Sequence, residues 1–416
     1  MIYYLFELLQ DSDIPGIGML QYISFRSAGA IILSLFITMA FGKKLIRYLQ
    51  KKQIGEEVRD LGLEGQLQKQ GTPTMGGIII LLSIIIPTLL FAKLHNIYII
   101  MMLVTTTWLG IIGFIDDYIK VFLKNKKGLA GKFKILGQVS LGIMVAATFY
   151  FSDEILVREV AFDSQGDPKQ EIVITSEIGS QTLEYVTDDV QSTRTTIPFF
   201  KLNEFDYEWM VAFTGEKSEY LRWIVYALVI IFIITFVSNA TNLTDGLDGL
   251  ATGTSAISGA TLGILAYVSG NVIYSEYLNI MYLPNIGELT IFIAAFIGAT
   301  VGFLWYNSYP AQVFMGDTGS LALGGILAVF SIIIRKEILI PLLCGIFLIE
   351  NFSVIIQVVW FKYTRLRFGE GRRVFLMSPI HHHYQKKGIP EAKIVTRFWI
   401  VGIVLAVVTV LTLKVR

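Results

Sequence analysis

One cysteine, Cys344, stands in a chain of 416 residues, inside an apolar block, so no intrachain disulfide can form and the redox compartment stays open. Charge is scarce too: 16% of residues are Asp, Glu, Lys or Arg, against about a quarter in an ordinary soluble domain. The net charge of +1 says nothing about nucleic acid, and no sustained basic patch interleaved with aromatics argues for it. The N-terminus lacks the basic region and small-residue cleavage site of a signal peptide, so insertion falls to the first spanning helix. No Walker-type phosphate loop occurs, and no internal repeat points to an inverted-repeat transporter.

What the chain has instead is apolar residue, 54% of the total, with a mean hydropathy of +0.61. It comes in long blocks rather than scattered stripes, and blocks of roughly 20 residues cross a bilayer as helices. About ten spans are predicted, at 27–46, 76–94, 97–115, 133–151, 223–241, 249–268, 288–306, 319–335, 337–360 and 396–414. The fold class expected is an all-α polytopic membrane protein, residues 1–416 forming one integral-membrane domain. Lys and Arg concentrate in 43–70, 116–134 and 362–394, which an even number of spans puts on one side; by the positive-inside rule that side is cytoplasmic and both termini lie outside. The polar stretch 152–222 then falls outside, between the fourth and fifth spans. Glu171–Thr175 and Thr182–Val186 flank Gly179-Ser180 and read as a small β-hairpin. Nothing in this insertion looks catalytic, and an extracytoplasmic cap or partner surface is expected of it.

Polar clusters interrupt the apolar blocks on the inner side. Carboxylates at a bilayer are costly, so they point to function. Asp116-Asp117 ends the third span, with Lys120 beside both at helical spacing. Two carboxylates can bind Mg²⁺ or take a proton, and the lysine can hold a phosphate; the bland alternative is a salt bridge at a helix end. Asn242-Leu243-Thr244-Asp245-Gly246-Leu247-Asp248-Gly249 places Asp245 and Asp248 three apart, dense enough in amide and carboxylate to suggest a ligand site rather than a polar turn. Asn307 to Ser320 contains Pro310 and Phe314-Met315-Gly316-Asp317-Thr318-Gly319-Ser320, where Asp317 is either a functional carboxylate or a helix cap, and Phe314 either stacks on a base or packs at the interface. His381-His382-His383 uses three of four histidines. Consecutive imidazoles diverge, which makes a three-histidine zinc site awkward; beside Arg372, Arg373, Lys386 and Lys387 they suit anionic phosphates. Lys69 with Gly71-Thr72-Pro73-Thr74-Met75-Gly76-Gly77 offers an amine, hydroxyls and free amides to a phosphate. His95, alone in an outer loop, is expected to be inert.

Together these runs, with Pro379-Ile380 before the histidines, resemble the phospho-N-acetylmuramoyl-pentapeptide transferases, a branch of the polyprenyl-phosphate N-acetylhexosamine-1-phosphate transferases. The resemblance extends over nearly the whole chain. The aspartate motifs carry the superfamily; the Pro-Ile-His-His-His and Gly-Thr-Pro-Thr-Met-Gly-Gly runs carry the branch. Departures are small, such as Tyr306 where the family often has Phe and Tyr384-Gln385 after the histidines; the outer insertion is the least family-like part. The resemblance implies an enzyme of the bacterial inner membrane that passes phospho-MurNAc-pentapeptide from UDP to undecaprenyl phosphate, giving lipid I and UMP with Mg²⁺, at its cytoplasmic face. It implies Asp317 as the metal ligand, with Asp116 and Asp117 as further catalytic carboxylates and Asp116 deprotonating or orienting the lipid phosphate. It implies Lys120, Lys132 and His381 to His383 on phosphate oxygens, and Asn242, Asp245, Asn307 and Phe314 around the nucleotide. Lys69, Thr74 and Asp248 join the substrate-binding set. The implied partners are the UDP-sugar-peptide, the lipid acceptor and the membrane, with no nucleic acid; a homodimer is one assembly open to it. The rival readings are a transporter or flippase of an anionic lipid, and a sister transferase using UDP-GlcNAc.

Overall fold

The computed structural model describes residues 1–9, 15–52, 69, 71–125, 127–160, 170–175, 180–200 and 204–414. Long apolar segments become long helices because a buried backbone in lipid must satisfy its own N–H and C=O groups. The helices in chain order are α1 (Ile2–Leu9), α2 (Ile23–Lys51), α3 (Gly77–Phe91), α4 (Ile97–Val121), α5 (Gly131–Phe151), α6 (Ser218–Thr244), α7 (Leu250–Ser269), α8 (Val272–Leu278), α9 (Leu289–Asn307), α10 (Gly316–Ile333), α11 (Ile340–Leu343), α12 (Gly345–Phe368), α13 (Ile380–Lys386) and α14 (Glu391–Leu411). Among the described residues nine helices are long and apolar enough to cross a membrane: α2, α4, α5, α6, α7, α9 with its leading turn, α10, α12 and α14. The tenth expected span is α3, apolar but only 15 residues long.

The protein is a multi-pass, all-α membrane protein. The span expected at 337–360 begins later, because Arg335-Lys336-Glu337 forms a charged turn and the bend through α11 delays the long helix to Gly345–Phe368. The expected hairpin is present as β2 (Gln170–Thr175) and β3 (Ser180–Tyr185), antiparallel with Thr175 opposite Ser180; residues 176–179 of its turn lie outside the described residues, as does most of the basic segment 53–70. Two strand pairs the sequence pattern did not suggest accompany it. β1 (Val157–Val160) pairs with β4 (Thr187–Val190), and β5 (Arg194–Thr196) with β6 (Glu204–Asp206).

Helix α10 is the axis of the bundle. Every residue from Thr318 to Ile333 is buried, and α3, α4, α6 and α7 surround it. Glycine allows that approach. A side chain at Gly77 would strike the backbone of Thr318 and Gly319, and one at Gly113 would strike Asp317 O, so α3 and α4 can close on α10 only where Cβ is missing. Farther out, Arg26 of α2 makes a buried two-point pair with Glu288 before α9, at 2.8 and 2.6 Å, and Glu288 also accepts from Lys93 N at 3.0 Å. These bonds fix α2, α9 and the far end of α3 to one another.

Candidate active site

The N-terminus of α10 leaves its first N–H groups without helical partners. Asp117, at the end of α4, supplies them. Its Oδ1 accepts from Asp317 N at 3.0 Å, and its Oδ2 from Thr318 N at 2.9 Å and Thr318 Oγ1 at 2.6 Å. The carboxylate that caps α10 thus comes from another helix, which ties α4 to α10 and turns the next residue, Asp317, outward. Residues 73–77 are laced to the approach to α10 in strand fashion: Phe314 N donates to Pro73 O at 2.8 Å, Gly76 N to Phe314 O at 2.9 Å and Gly77 N to Met315 O at 2.8 Å. This places Thr74, buried, beside Asp117. A side chain at Gly316 would sit 3.0 Å from Thr74 Oγ1 and 2.6 Å from Asp117 Oδ2, so that position stays bare.

Around this cap the carboxylates converge. One oxygen each of Asp116, Asp117 and Asp317 lies within 4.8 Å of the others, a hard-oxygen donor set suited to a divalent cation. Lys134 Nζ sits 2.9 Å from Asp116 Oδ1 and 2.5 Å from Asp317 Oδ2; Lys120 Nζ sits 2.6 Å from Asp116 Oδ2 and 3.4 Å from Asp317 Oδ2. Asn242 Nδ2 donates to Asp317 Oδ1 at 3.0 Å and to Ser320 Oγ at 2.7 Å, and Leu129 N donates to Asp116 Oδ1 at 2.7 Å. Three carboxylates face two ammoniums, so the cations are outnumbered at this site. Asp116 Oδ2 is buried and is held by the Lys120 ion pair at 2.6 Å, so it can ligate a cation only when that ammonium moves away.

Sequence reasoning missed Lys134 and named Lys132. Lys132 is exposed, with its amine 5.2 Å from the Phe133 ring, and lies outside the cluster. Lys134 shares a helix face with Gln138 four residues on, and Gln138 is fully buried, bonding Ser238 at 3.3 Å and Asn239 at 2.8 Å. That polar i, i+4 pair was the signal, since a residue two places away points off the stripe.

Two neighbouring groups complete this end of the bundle. Lys69 Nζ binds Asp248 Oδ1 at 2.7 Å and Glu391 Oε1 at 2.6 Å, while Glu391 Oε1 also accepts from Asp248 N at 2.7 Å and Asp248 Oδ2 from Ala311 N at 3.0 Å. Burial pulls the Lys69 amine down, but the Glu391 and Asp248 carboxylates outweigh it and the net direction is up, so Lys69 is a cation. Its Nζ lies 6.0 Å from the Phe314 ring. Asp248 is therefore committed to joining the loop between α6 and α7 to α14. Asn307 is committed likewise: Oδ1 accepts from Gly249 N at 3.1 Å and Thr252 Oγ1 at 3.0 Å, and Nδ2 donates to Val313 O at 3.0 Å. Asp245 is half-buried just past α6, its N–H closing onto Asn242 O at 3.3 Å.

The His381 and His382 rings pack edge-on at 4.2 Å, and the three histidines take different polar partners. His381 is fully buried, Nδ1 3.0 Å from Glu350 Oε2, with its ring against Gly246. His382 Nδ1 meets Gln385 Oε1 at 2.7 Å, and His383 Nδ1 accepts from Leu376 N at 3.1 Å. Burial and the adjacent His381 push His382 down to about 4, and slight burial with Lys387 lowers His383. At neutral pH both are uncharged. His383, whose Nδ1 accepts from Leu376 N, can offer a phosphate its Nε2–H, whereas the single N–H of a neutral His382 is spent on Gln385 Oε1.

Comparisons with known proteins point to one family. The model of glycosyl transferase family 4 matches residues 190–335, and signature 1 of the phospho-N-acetylmuramoyl-pentapeptide-transferases matches 69–81, the strand-laced loop carrying Lys69 and Thr74. Curated relatives bearing that transferase name are 61% identical in Flavobacterium psychrophilum and 58% in Flavobacterium johnsoniae, each over the full length of both chains. One from Parabacteroides distasonis is 57% identical, again over all of both chains. With a carboxylate cluster at the head of a buried helix and full-length identity of this order, the chain belongs to the phospho-N-acetylmuramoyl-pentapeptide-transferase family.

Proposed function

We propose that the protein transfers phospho-MurNAc-pentapeptide from UDP-MurNAc-pentapeptide to undecaprenyl phosphate, releasing UMP and leaving lipid I, with Mg²⁺ and with the carboxylate end of the bundle facing the cytoplasm of a bacterial inner membrane. The whole chain acts as one unit, with 152–222 as an insertion. The observation that carries this reading is the meeting of Asp116, Asp117 and Asp317 with Lys120 and Lys134 at one helix terminus. Attack of a phosphate monoester on a pyrophosphate asks for positioning and charge neutralisation rather than a covalent relay. Bound at Asp317, with Asp116 in reach, Mg²⁺ would neutralise the pyrophosphate and favour departure of UMP.

The protein's own groups divide the remaining work. Lys120 and Lys134 exchange Asp116 and Asp317 for phosphate oxygens, and the freed carboxylates would then be balanced by the bound cation. Asp117 holds the first turn of α10 rigid and so fixes where Asp317 points. Asp116, freed of lysine, orients the acceptor phosphate. Asn242 keeps Asp317 Oδ1 in place. Thr74, Asp245 and Phe314 line the nucleotide side, and Lys69, Asp248 and Asn307 hold that wall together. His381 to His383 bound it from the α13 side.

The test is release of UMP by purified protein in detergent, dependent on both substrates and Mg²⁺ and on no gradient. Binding without UMP release, with flux only across sealed vesicles, would instead mark a transporter. Turnover of UDP-GlcNAc with none of UDP-MurNAc-pentapeptide would overturn the substrate assigned.

A further inference from the structure

The insertion carries an apolar surface that it does not use against the rest of the protein. Two 3-10 turns, Tyr207–Met210 and Ala212–Lys217, lead from β6 into α6. Tyr207 is turned inward: it is buried, its ring packs edge-on to Phe205 and against Tyr226, and its hydroxyl donates to Glu337 Oε1 at 3.3 Å. The next apolar residues are turned the other way. Trp209 is 60% exposed, Met210 54% and Phe213 87%. These turns are not a loose end of chain. Asp206 caps them through Glu208 N at 2.9 Å, and Glu208 accepts from Ser218 Oγ and Arg222 Nη1 of α6, both at 2.9 Å. The outward side chains are therefore held at a fixed height above the first turn of α6.

That height is where the lipid-facing surface begins. Tyr220, Ile224, Leu228 and Phe232 are all exposed and four residues apart, a continuous stripe down a helix long and apolar enough to cross the bilayer. Beside it α5 ends in exposed Tyr150 and Phe151, with Tyr150 edge-on to Trp223 at 5.5 Å. Exposed apolar side chains thus occur on the spanning stripe, at the adjoining ends of α5 and α6 and on the turns just before α6, with the charged Lys217 and Glu219 between the turns and the stripe. Trp and Tyr with apolar neighbours at the end of spanning helices are the composition of a membrane interface. A cluster of this size is not what a water-facing surface ordinarily presents.

We propose that Trp209, Met210 and Phe213 seat the insertion in the interfacial layer of the leaflet at its own end of the bundle, so that the cap rests on lipid as well as on α6. The occupant assigned to the surface is the glycerol and upper acyl region of bilayer lipid, since the patch sits within a few residues of the start of a helix long and apolar enough to span and beside the aromatic ends of α5 and α6.

Single cysteines at Phe213 and Trp209, carrying a nitroxide in vesicles of phosphatidylethanolamine and phosphatidylglycerol, read this out. The native Cys344 is fully buried and stays unlabelled. Phe232→Cys is the lipid control and Asp188→Cys the water control. Collisions with oxygen should exceed those with a water-soluble nickel chelate at 209 and 213, as at 232. Nickel access equal to that at 188 would overturn the proposal. So would loss of access to both quenchers, which would put protein, a second copy included, on the patch. Using two positions keeps the test open if one variant fails to fold.

Discussion

The two ends of α10 both gather charge, and they hold it in opposite ways. At the Asp317 end, cations meet carboxylates: Lys120 and Lys134 are 32% and 18% exposed and share Asp116 and Asp317 between them. At the other end, Arg335 and Lys336 are buried under the insertion and meet mainly neutral acceptors. Arg335 donates to Tyr226 Oη at 2.8 Å and Ser192 O at 2.7 Å, and Lys336 to Thr196 Oγ1 at 2.5 Å. The backbone joins in, with Thr196 N donating to Arg335 O at 3.0 Å and Thr195 Oγ1 at 3.1 Å. An ion pair near solvent can exchange one anion for another; a buried cation bound by fixed neutral oxygens cannot. The first arrangement suits a site that must admit phosphate, the second a joint that must not move.

Breaking the first end should cost rate and spare stability. Asp317→Asn keeps the shape and removes the charge, and UMP release should fall a hundredfold or more, the scale of losing one electrostatic stabiliser, with the melting temperature held. Near-normal turnover at limiting Mg²⁺ would take Asp317 out of the metal site. Lys134→Met should lower turnover at least tenfold, while Lys132→Met stays within about twofold, because only Lys134 reaches the carboxylates. Equal losses in both variants would mean that position along α5, and not contact, decides.

At the second end the expected effects reverse. Arg335→Ala leaves Ser192 O and Tyr226 Oη without their donor and Glu337 without its nearby cation, costing about 3 kcal/mol in thermal or denaturant unfolding, with turnover per folded molecule unchanged. Loss of rate with intact stability would show the two ends to be coupled. The smallest effect concerns pH. Burial pushes the Lys336 amine down to about 8 from 10.5. Between those values the unfolded chain holds a proton that the folded one has released, so stability rises with pH across the window, by about 1 kcal/mol per pH unit, and levels off above it. Below about 8 both states are protonated and the cost of burying the charge is present in full. Lys336→Met should abolish that rise relative to the wild type, as followed by melting temperature from pH 7.5 to 10.5.

Much of this contrast was legible in the sequence, and what was not has a physical pattern. Runs of apolar residue announced the helices because the bilayer sets their length. The aspartate clusters announced the site because charge there needs a reason. Position within a cluster was less visible. Asp116 and Asp117 are neighbours of one kind, yet one faces two lysines and the other caps a helix 200 residues away. Lys69 finds Glu391 across 322 residues and His381 finds Glu350 on α12, partners that no local spacing specifies. The turn at Arg335-Lys336-Glu337 was read as the edge of a span because its acceptors sit in the insertion, where sequence pattern suggested only one hairpin.

Helix α3 sets the bilayer a geometric problem. Its 15 residues rise about 22 Å, while the hydrocarbon layer is about 30 Å thick. Neither end is free to tilt or slide: Gly76 and Gly77 are bonded to the loop before α10, and Lys93 N to Glu288. A short apolar helix with both ends fixed favours a thinner bilayer beside it. Acyl-chain length in the host bilayer is therefore expected to be a variable on which turnover depends.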